Sequence, residues 1–499
     1  MRYPPVILAM LVVLLITSVS QAMDPPVMMW EKWYYTSYDG AKFFDIELTS
    51  SGNLFITGSV YDYTAPLLDG YSAFLMNQNG EVLWEVHHPW YTGRGLDGAV
   101  LPDGSFVITG RSVETPSDTY ALFIMKISQE GSIEWTKVYD YPDTKEEGYG
   151  ITCLPDGGFA VCGKVHGTGT INAGQAWLLR TDAYGDTLWS REWGSTVANS
   201  PDWGKSVLFI DGKLCVLAHG LTESLPTYGT HLLFYDLDGN YLYGSDYPNL
   251  YWYGPGDLCE ASDGGVTFVT NTLPVIWHTD QFGETLWWHN IPEPFGSGTN
   301  HEGFCIRRTM DSGFVFSGWG GETPEWDERS STELCNTENN RTYDTQDGWL
   351  ARYDSDGELL WTFQNCPGNS NHFYSVVQLP QGGYIAGGTY AGNGAYLVRY
   401  APETGIEKTE PAPDCEMSIS PNPFNSTLSV SFTLQESMEV SLTVYDLSGR
   451  LIDTVTTGFF PAGNSTANWT VQEGLSSGCY LVRLELPNRN VIKNCILLK

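Results

Sequence analysis

TDAYGDTLWSREWG, residues 181–194, reads as a tight turn built on a glycine, followed by a strand with tryptophan four residues beyond that glycine. The phrase recurs as NQNGEVLWEV (77–86), SQEGSIEWTKV (128–138), DLDGNYLYGS (236–245), DQFGETLWWH (280–289) and DSDGELLWTF (354–363). A second turn alternates with it: SSGN at Ser50, PDGS at Pro102, PDGG at Pro155, IDGK at Ile210, SDGG at Ser262, MDSG at Met310 and PQGG at Pro380. Between the turns lie short β-branched and aromatic segments such as LFITG (54–58), FVITG (106–110), FAVCG (159–163) and YIAGG (384–388). The implied unit is strand, tight turn, strand, loop, strand, tight turn, strand.

The aromatics that follow the glycine are Trp84, Trp135, Trp189, Tyr243, Trp287 and Trp361, spaced 51, 54, 54, 44 and 74 residues apart. Repeats of about 40 to 50 residues with four strands each predict a β-propeller, whose blades bury their faces against one another. Asp182, Asp236, Asp280 and Asp354 precede the turn glycine by three residues, with Asn77 and Ser128 in the same place. Short polar side chains there bond the turn's own amides, so these carboxylates read as structural.

The seventh unit supplies a third strand in AYLVRYAPETG (395–405) and then runs into GIEKTEPAP with no fourth. The missing strand lies at the other end of the chain. MWEKWYY (29–35) matches LWEVHHPWY (83–91) and EWTKVYD (134–140), which places Trp30 with Trp84 and Trp135. The expectation is a seven-bladed, all-β propeller whose N-terminal strand closes the last blade beside Tyr396–Tyr400, removing two sheet edges.

Composition sets limits on the partners. The 499 residues carry a formal charge of −34, spread along the chain, which argues against nucleic acid or an anionic membrane surface. The opening MRYPPVILAMLVVLLITSVSQAM has Arg2, an apolar run from Val6 to Ile16, and Ser20 and Ala22 before a cleavage point, as in a secretory signal covering 1–22. That run is too short for a comfortable span, so no transmembrane segment is expected in the mature chain. The ten cysteines show no metal-ligand spacing, and disulfides suit an exported protein. Candidate pairs are Cys153 with Cys162, Cys335 with Cys366, and Cys479 with Cys495.

Beyond the propeller (23–406) and a linker (407–417), residues 418–499 change pattern: SISPNPFNSTLSVSFTL, VSLTVYDLSGRLIDTV, FPAGNSTANWTV and SSGCYLVRLELPNRNVIKNCILLK. This stretch closely resembles the C-terminal sorting domain of bacterial Type IX secretion substrates and the related immunoglobulin-like domain of flagellar hook-cap proteins. Pro421, Asn422, Pro423, Phe424, Tyr445, Asp446, Gly449, Arg450, Gly463, Trp469, Gly478, Tyr480 and Lys499 stand where that pattern expects them. The resemblance implies a small β-sandwich recognised by an outer-membrane translocon, and removed on release or attached at the surface. Cys479 departs from the family's usual apolar residue. The propeller repeats are similar to those of quinoprotein-type propellers and, less closely, to the Asp-box turns of sialidases. No adjacent cysteine pair of the quinone-dependent dehydrogenases is present, and no cofactor is implied.

The nine histidines form no HExxH, and no GxSxG elbow, Walker loop or dinucleotide fingerprint occurs in its structural context. DLDG (236–239) and DSDG (354–357) lack the remaining ligands of a calcium loop and read as turns, so no metal site is assigned. Position is more informative than motif. If the tight turns share one face of the disc, the variable loops share the other, and function sits with variable loops. The longest of these is WGGETPEWDERSSTELCNTENNRTYDTQDGW (319–349). It supplies Trp319, Glu322, Trp326, Asp327 and Glu328 as candidate ligand-binding residues, joined by Trp203, Trp252, His301 and His372. Aromatic platforms beside carboxylates suit sugar stacking, cationic peptide capture or calcium binding, and the expected ligand is a glycan, a peptide or a surface protein.

The sequence thus describes an exported propeller cargo with an immunoglobulin-like sandwich as address label. A non-enzymatic binding role is favoured. The alternatives are a carbohydrate-active or other hydrolytic enzyme using carboxylates such as Glu322 and Asp327, and a purely structural surface protein.

Overall fold

The structure, a computed structural model, describes residues 25–497 apart from 35–39, 62–69, 89–91, 114–119, 142–143, 167–173, 195–201, 221–228, 248–253, 273, 293–299, 322–345, 366–369, 391–393, 404–414, 423, 435–436, 447–449, 472–474, 476–477 and 487–488. The signal segment, residues 407–414 of the linker, Glu322, Trp326, Asp327, Glu328, Trp252, Cys335, Cys366, Pro423, Gly449 and Lys499 lie outside the described residues, while linker residues 415–417 open the first strand of the second unit. The chain divides into two compact units, Met1–Gly405 and Ile406–Lys499.

In the first unit the described residues form seven four-stranded antiparallel sheets. Blades one to six comprise 40–88, 92–139, 146–193, 203–247, 255–290 and 300–365, with strands a to d in chain order. Blade seven takes strands a to c from 371–400 and strand d from Met28–Tyr34. Trp30 lies opposite Arg399, Glu31 opposite Val398 and Trp33 opposite Tyr396, as the matching N-terminal segment requires. The Tyr396 hydroxyl donates to Glu31, and Ala401 N donates to Val27 O at 2.8 Å. The first unit is a seven-bladed propeller closed by its N-terminal strand.

The buried apolar residues form seven clusters in this unit, each shared by two consecutive blades. Phe55, Ala73 and Leu75 of blade one pack with Phe106, Phe123 and Met125 of blade two. Ile46, Ile56 and Phe74 of blade one pack with Ile385 and Leu397 of blade seven, and Trp30 and Tyr34 lean on that cluster. A four-stranded blade alone would expose both faces, so the blades are stable only as neighbours.

The repeated turn phrase has two jobs at one glycine. Gly131 sits at φ +82°, and a Cβ there would lie 2.7 Å from the ring of Trp84 in the preceding blade. The same ring-over-glycine contact joins Trp30 to Gly80, Trp135 to Gly185, Trp189 to Gly239 and Trp287 to Gly357. Trp84 Nε1 donates to Gln129 O and Trp189 Nε1 to Leu237 O, both at 2.9 Å. The carboxylates of the turns are spent on the backbone: Asp182 Oδ1 accepts from Tyr184 N at 2.8 Å and Asp186 N at 2.9 Å. Asp236, Asp280 and Asp354 repeat this pair of bonds. Tyr243 and Trp361 are the exceptions: a Cβ on Gly283 would meet Ser245 rather than the Tyr243 ring, and Trp361 donates to Glu403 Oε1 at 2.6 Å where blade seven leaves the pattern.

Two glycine variants separate strain from packing. Gly264 has φ +83° with nothing within 4 Å of a Cβ. Gly264→Ala should therefore cost ~1–2 kcal/mol for the left-handed backbone alone. Gly131→Ala adds displacement of the Trp84 ring and should cost about 1–3 kcal/mol more, the scale of overpacking. Urea denaturation of the two variants measures both values, and equal losses would remove the ring contact from the account.

The second unit has a three-stranded sheet of Cys415–Ser420, Thr427–Leu434 and Gly463–Thr470. Its four-stranded sheet is Leu451–Phe460, Met438–Asp446, Gly478–Leu486 and Arg489–Leu497. These sheets form a small immunoglobulin-like sandwich. Phe424 and Trp469 are buried, with ring centroids 5.4 Å apart, and Trp469 Nε1 donates to Asp453 Oδ2 at 3.2 Å. Tyr480 meets Trp469 edge-on, whereas Pro421, Asn422 and Arg450 are exposed. Tyr445 is half-buried and Gly478 exposed.

One of the cysteine expectations is corrected here. Cys153 and Cys162 are unbridged thiols, because the hairpin register sets Cys153 against Phe159 and Cys162 against Gly150. In the sandwich, Cys495 is opposite Tyr480 and Cys479 opposite Ile496, so the register does not set the two cysteines against each other.

Candidate functional site

Strand a of every blade carries the same irregularity: the register slips by one residue, a β-bulge. The extra residues are Phe44, Leu96, Tyr149, Lys205, Gly256, Phe304 and Tyr374, one per blade, and all seven line a cavity of about 360 Å³ on the propeller axis. In five of the seven blades a glycine on strand b lets the backbones touch at the bulge, whereas blades four and five carry Ala218 and Thr270 at that position. A Cβ on Gly58, Gly110, Gly163, Gly318 or Gly388 would overlap the carbonyl oxygen of Lys42, Arg94, Glu147, Glu302 or His372 respectively. With no side chain between them, strand a buckles and turns the extra residue to the axis.

The residue after the bulge is Asp45, Asp97, Gly150, Ser206, Asp257, Cys305 or Ser375, and several of these clasp the next blade. Asp97 Oδ2 accepts from Ile151 N at 2.6 Å, Asp257 Oδ2 from Ile306 N at 3.3 Å, and Ser375 Oγ from Ile46 N at 3.1 Å. Arg307 of blade six bridges this level: its guanidinium donates to Asp257 of blade five, to Asp45 at 2.9 Å and to Glu47 at 3.1 Å, both in blade one. Ser206 Oγ donates to Asp257 Oδ1 at 2.8 Å and Ser375 Oγ to Asp45 Oδ1 at 3.1 Å.

Three carboxylates, Asp45, Glu47 and Asp257, therefore share one guanidinium, and Asp97 lines the same cavity. Burial drives the Asp97 carboxyl well above the usual range, with the charges of Asp45 and Asp257 adding to the effect. Burial also raises Asp45, against the pull of Arg307. Glu47 is pushed up to about 7 by burial, again against Arg307. The Cys305 thiol, pushed up to about 12 by burial, is inert as a nucleophile at neutral pH.

Strand a enters from the variable-loop end and leaves through the tight a–b turn, so residues before the bulge lie toward the variable loops. Arg94 and Glu302, two residues before it, line that end of the cavity. Phe44 and Phe304 flank Tyr374 at centroid distances of 5.4 and 4.8 Å, which gives blades six, seven and one a continuous aromatic wall. Opposite stand Tyr149 and Lys205, whose ammonium lies 5.5 Å from the Tyr149 ring centre. The cavity thus has an aromatic flank, an acidic floor and a mixed-charge upper rim.

Of the sequence-predicted residues, Trp203, His301, Trp319 and His372 are described, and these four are not among those that line the cavity. Trp203 and His372 occupy the register position of Arg94 and Glu302 in their own blades. Trp203 packs on His219, at 4.8 Å between ring centroids. Trp319 is buried and stacked on His372, at 4.8 Å and 14°. His372 Nε2 bonds Gln346 Oε1 at 2.8 Å and Nδ1 bonds the Tyr374 hydroxyl at 3.3 Å. Burial, then the nearby Lys42 ammonium, lowers the His372 pKa to about 4, so its ring is neutral at pH 7. His301 is buried and edge-on to Trp349. Trp319 and His372 back the cavity wall through Glu302 and Tyr374.

Sequence reasoning passed over the axial residues. The available signal was the glycine ending LFITG, FVITG, FAVCG and YIAGG: the bulge residue lies fourteen positions before Gly58, Gly110, Gly163 and Gly388.

Strand order and axial cavity place the first unit in the β-propeller class. Residues 418–498 match the family model for the secretion system C-terminal sorting domain, and the tail is a member of that family. The chain is accordingly an exported protein, secreted or held at the cell surface, and a client of the Type IX secretion machinery. No helix among the described residues is long and apolar enough to cross a membrane. No curated protein matches the chain. Similar solved structures include a catalytically inactive virginiamycin B lyase from Staphylococcus aureus with quinupristin, 15% identical over 74% of this chain and 99% of that one, TM-score 0.46. Another is YCF48 bound to D1 peptide, 10% identical over 78% and 100%, TM-score 0.40. A third is the alpha-L-arabinanase of Penicillium chrysogenum complexed with arabinobiose, 14% identical over 59% and 94%, TM-score 0.40.

Proposed function

We propose that the propeller is an exported binding module whose small ligand occupies the axial cavity, entering from the variable-loop end, and is not chemically changed there. The observation that carries this is the convergence of seven bulge residues, one from each blade, on a single cavity of about 360 Å³, within the usual range for small-molecule sites. Elsewhere in the repeats the turn carboxylates are already engaged with the amides of their own turns, and the glycine-facing tryptophans join blades. The sorting domain complements this role by carrying the cargo to the translocon, where it is released from the tail or kept at the surface.

The test is a thermal-shift and calorimetric screen of the full chain against cationic, neutral and anionic small molecules, with mass spectrometry of each mixture. Binding should be saturable without new products. It should vanish in Leu96→Trp, which fills the cavity from blade two while leaving the circular dichroism unchanged. Turnover of any bound compound would replace this reading with the hydrolytic one.

A further inference from the structure

The composition of the cavity floor specifies what it takes. Asp45 is 5% exposed, and its Oδ1 is held by Arg307 and Ser375, yet Oδ2 has no hydrogen-bond partner. A buried carboxylate oxygen without a donor costs free energy that a ligand donor would recover. Asp97 lines the same cavity from the adjacent blade, and its one recorded donor is the Ile151 amide at Oδ2. Arg307 is already engaged with Asp45, Glu47 and Asp257 and is a single positive charge among four carboxyl groups. Resting on the binding reading above, we propose that the axial cavity binds an alkyl guanidinium or alkyl ammonium group, its N–H donors directed at Asp45 Oδ2 and Asp97.

Three features favour this chemistry. Among the described residues no three carboxylate, thiol or imidazole groups converge closely enough to hold a metal ion, so the floor suits a donor that spans separated acceptors. A guanidinium does this with several N–H groups in a planar fork. The aromatic flank of Phe44, Tyr374 and Phe304 offers ring faces to the cation and to the alkyl chain behind it. At the upper rim Arg94 stands against Glu302, and Lys205 lies over Tyr149 in the wall opposite the aromatic flank, so the negative charge that attracts a cation is concentrated at the floor.

The probe is agmatine, which carries both cationic groups on one short chain. A second arm is a blocked Gly-Arg-Gly peptide, to distinguish a free small molecule from a side chain of a partner. Isothermal titration of the full chain at low salt should show one saturable agmatine site, with n-butanol and butyrate at least about tenfold weaker. Asp97→Asn keeps an oxygen for the Ile151 amide and should weaken agmatine by about tenfold or more, the scale of a hydrogen bond to a charged group. Peptide binding of equal strength assigns the site to a protruding side chain; agmatine alone assigns it to a free cation, and both outcomes support the guanidinium site. The proposal is overturned if butanol or butyrate matches agmatine on the wild-type chain, or if a folded Asp97→Asn binds agmatine unchanged. If neutral or anionic compounds bind in a Leu96→Trp-sensitive manner while agmatine does not, the binding module stands and only its ligand class falls. If nothing in the screen binds, both fall.

Discussion

Removing residues 23–34 will open the ring. The deletion strips strand d from blade seven, exposes the edge of Gly394–Tyr400, and empties the place of Trp30 and Tyr34 against the cluster of Ile46, Ile56, Phe74, Ile385 and Leu397. It also cuts the latch to blade one, in which the Tyr34 hydroxyl donates to Gly80 O at 2.6 Å and Lys32 Nζ to Asn79 O at 2.5 Å. Two large aromatic side chains at ~1.5–3 kcal/mol each, with several ladder hydrogen bonds at ~1 kcal/mol each, sum to on the order of 5–10 kcal/mol. That is comparable to the whole stability of a typical domain. The shortened chain should therefore lose its cooperative urea transition and run as aggregates in size-exclusion chromatography, through pairing of the bared edge. A deletion variant with an unchanged urea midpoint would show that the seventh blade does not depend on its borrowed strand.

Arg307→Met should be the most damaging single substitution at the axis, and its effect should depend on pH. The side chain joins blades five, six and one through Asp257, Asp45 and Glu47. Taking away one partner of a buried charge network costs about 3–5 kcal/mol, because the remaining charges are left unpaired. The direction with pH follows from the raised carboxyl groups. Glu47 has its folded pKa pushed up from 4.5 to about 7, and Asp45 and Asp97 are also raised. Between about pH 4.5 and 7 the folded chain holds protons that the unfolded chain has released, so each such group favours folding at low pH. That contribution is complete below the unfolded pKa and is lost as pH rises through the folded value. Losing Arg307 raises the folded pKa values further, so the variant should be hurt far more at pH 8 than at pH 5. Urea midpoints of both proteins at the two pH values measure this, and an equal deficit at both would show that Arg307 acts by packing alone.

The two variants probe different levels of the same design. The outer clasp is made of residues repeated from blade to blade, such as Trp84 on Gly131 and Trp189 on Gly239, whereas the axial network is assembled from residues that vary around the ring. Repetition in the first stabilises the ring. Variety in the second makes one cavity with a particular chemistry.

The seven blades, the turn phrase and the borrowed strand were legible in the residues because each depends on local rules. Glycine accepts positive φ, a short polar side chain bonds the next amides, and a strand needs a partner for its edge. Residues 418–498 were legible for a similar reason: several motifs stand in one order, and the buried Phe424, Trp469 and Tyr480 are the core of the sandwich they specify. The axial cavity was not legible in this way. Phe44, Leu96, Tyr149, Lys205, Gly256, Phe304 and Tyr374 share no residue type, and the strand's two-residue period assigns them no common face until the bulge is known. The bulge itself arises from contact between two backbones, and seven bulges meet only when the ring closes. Trp319, His301 and His372 show the converse: aromatic and imidazole groups beside a long insertion look available in one dimension, yet Trp319 is buried against His372 of the next blade and His301 is buried edge-on to Trp349 of its own. Local chemistry along the chain thus dictated the blades and the address label, while the choice of which side chains face the axis was left to closure of the ring, since burial and charge pairing across blades exist only after residues hundreds of positions apart have met.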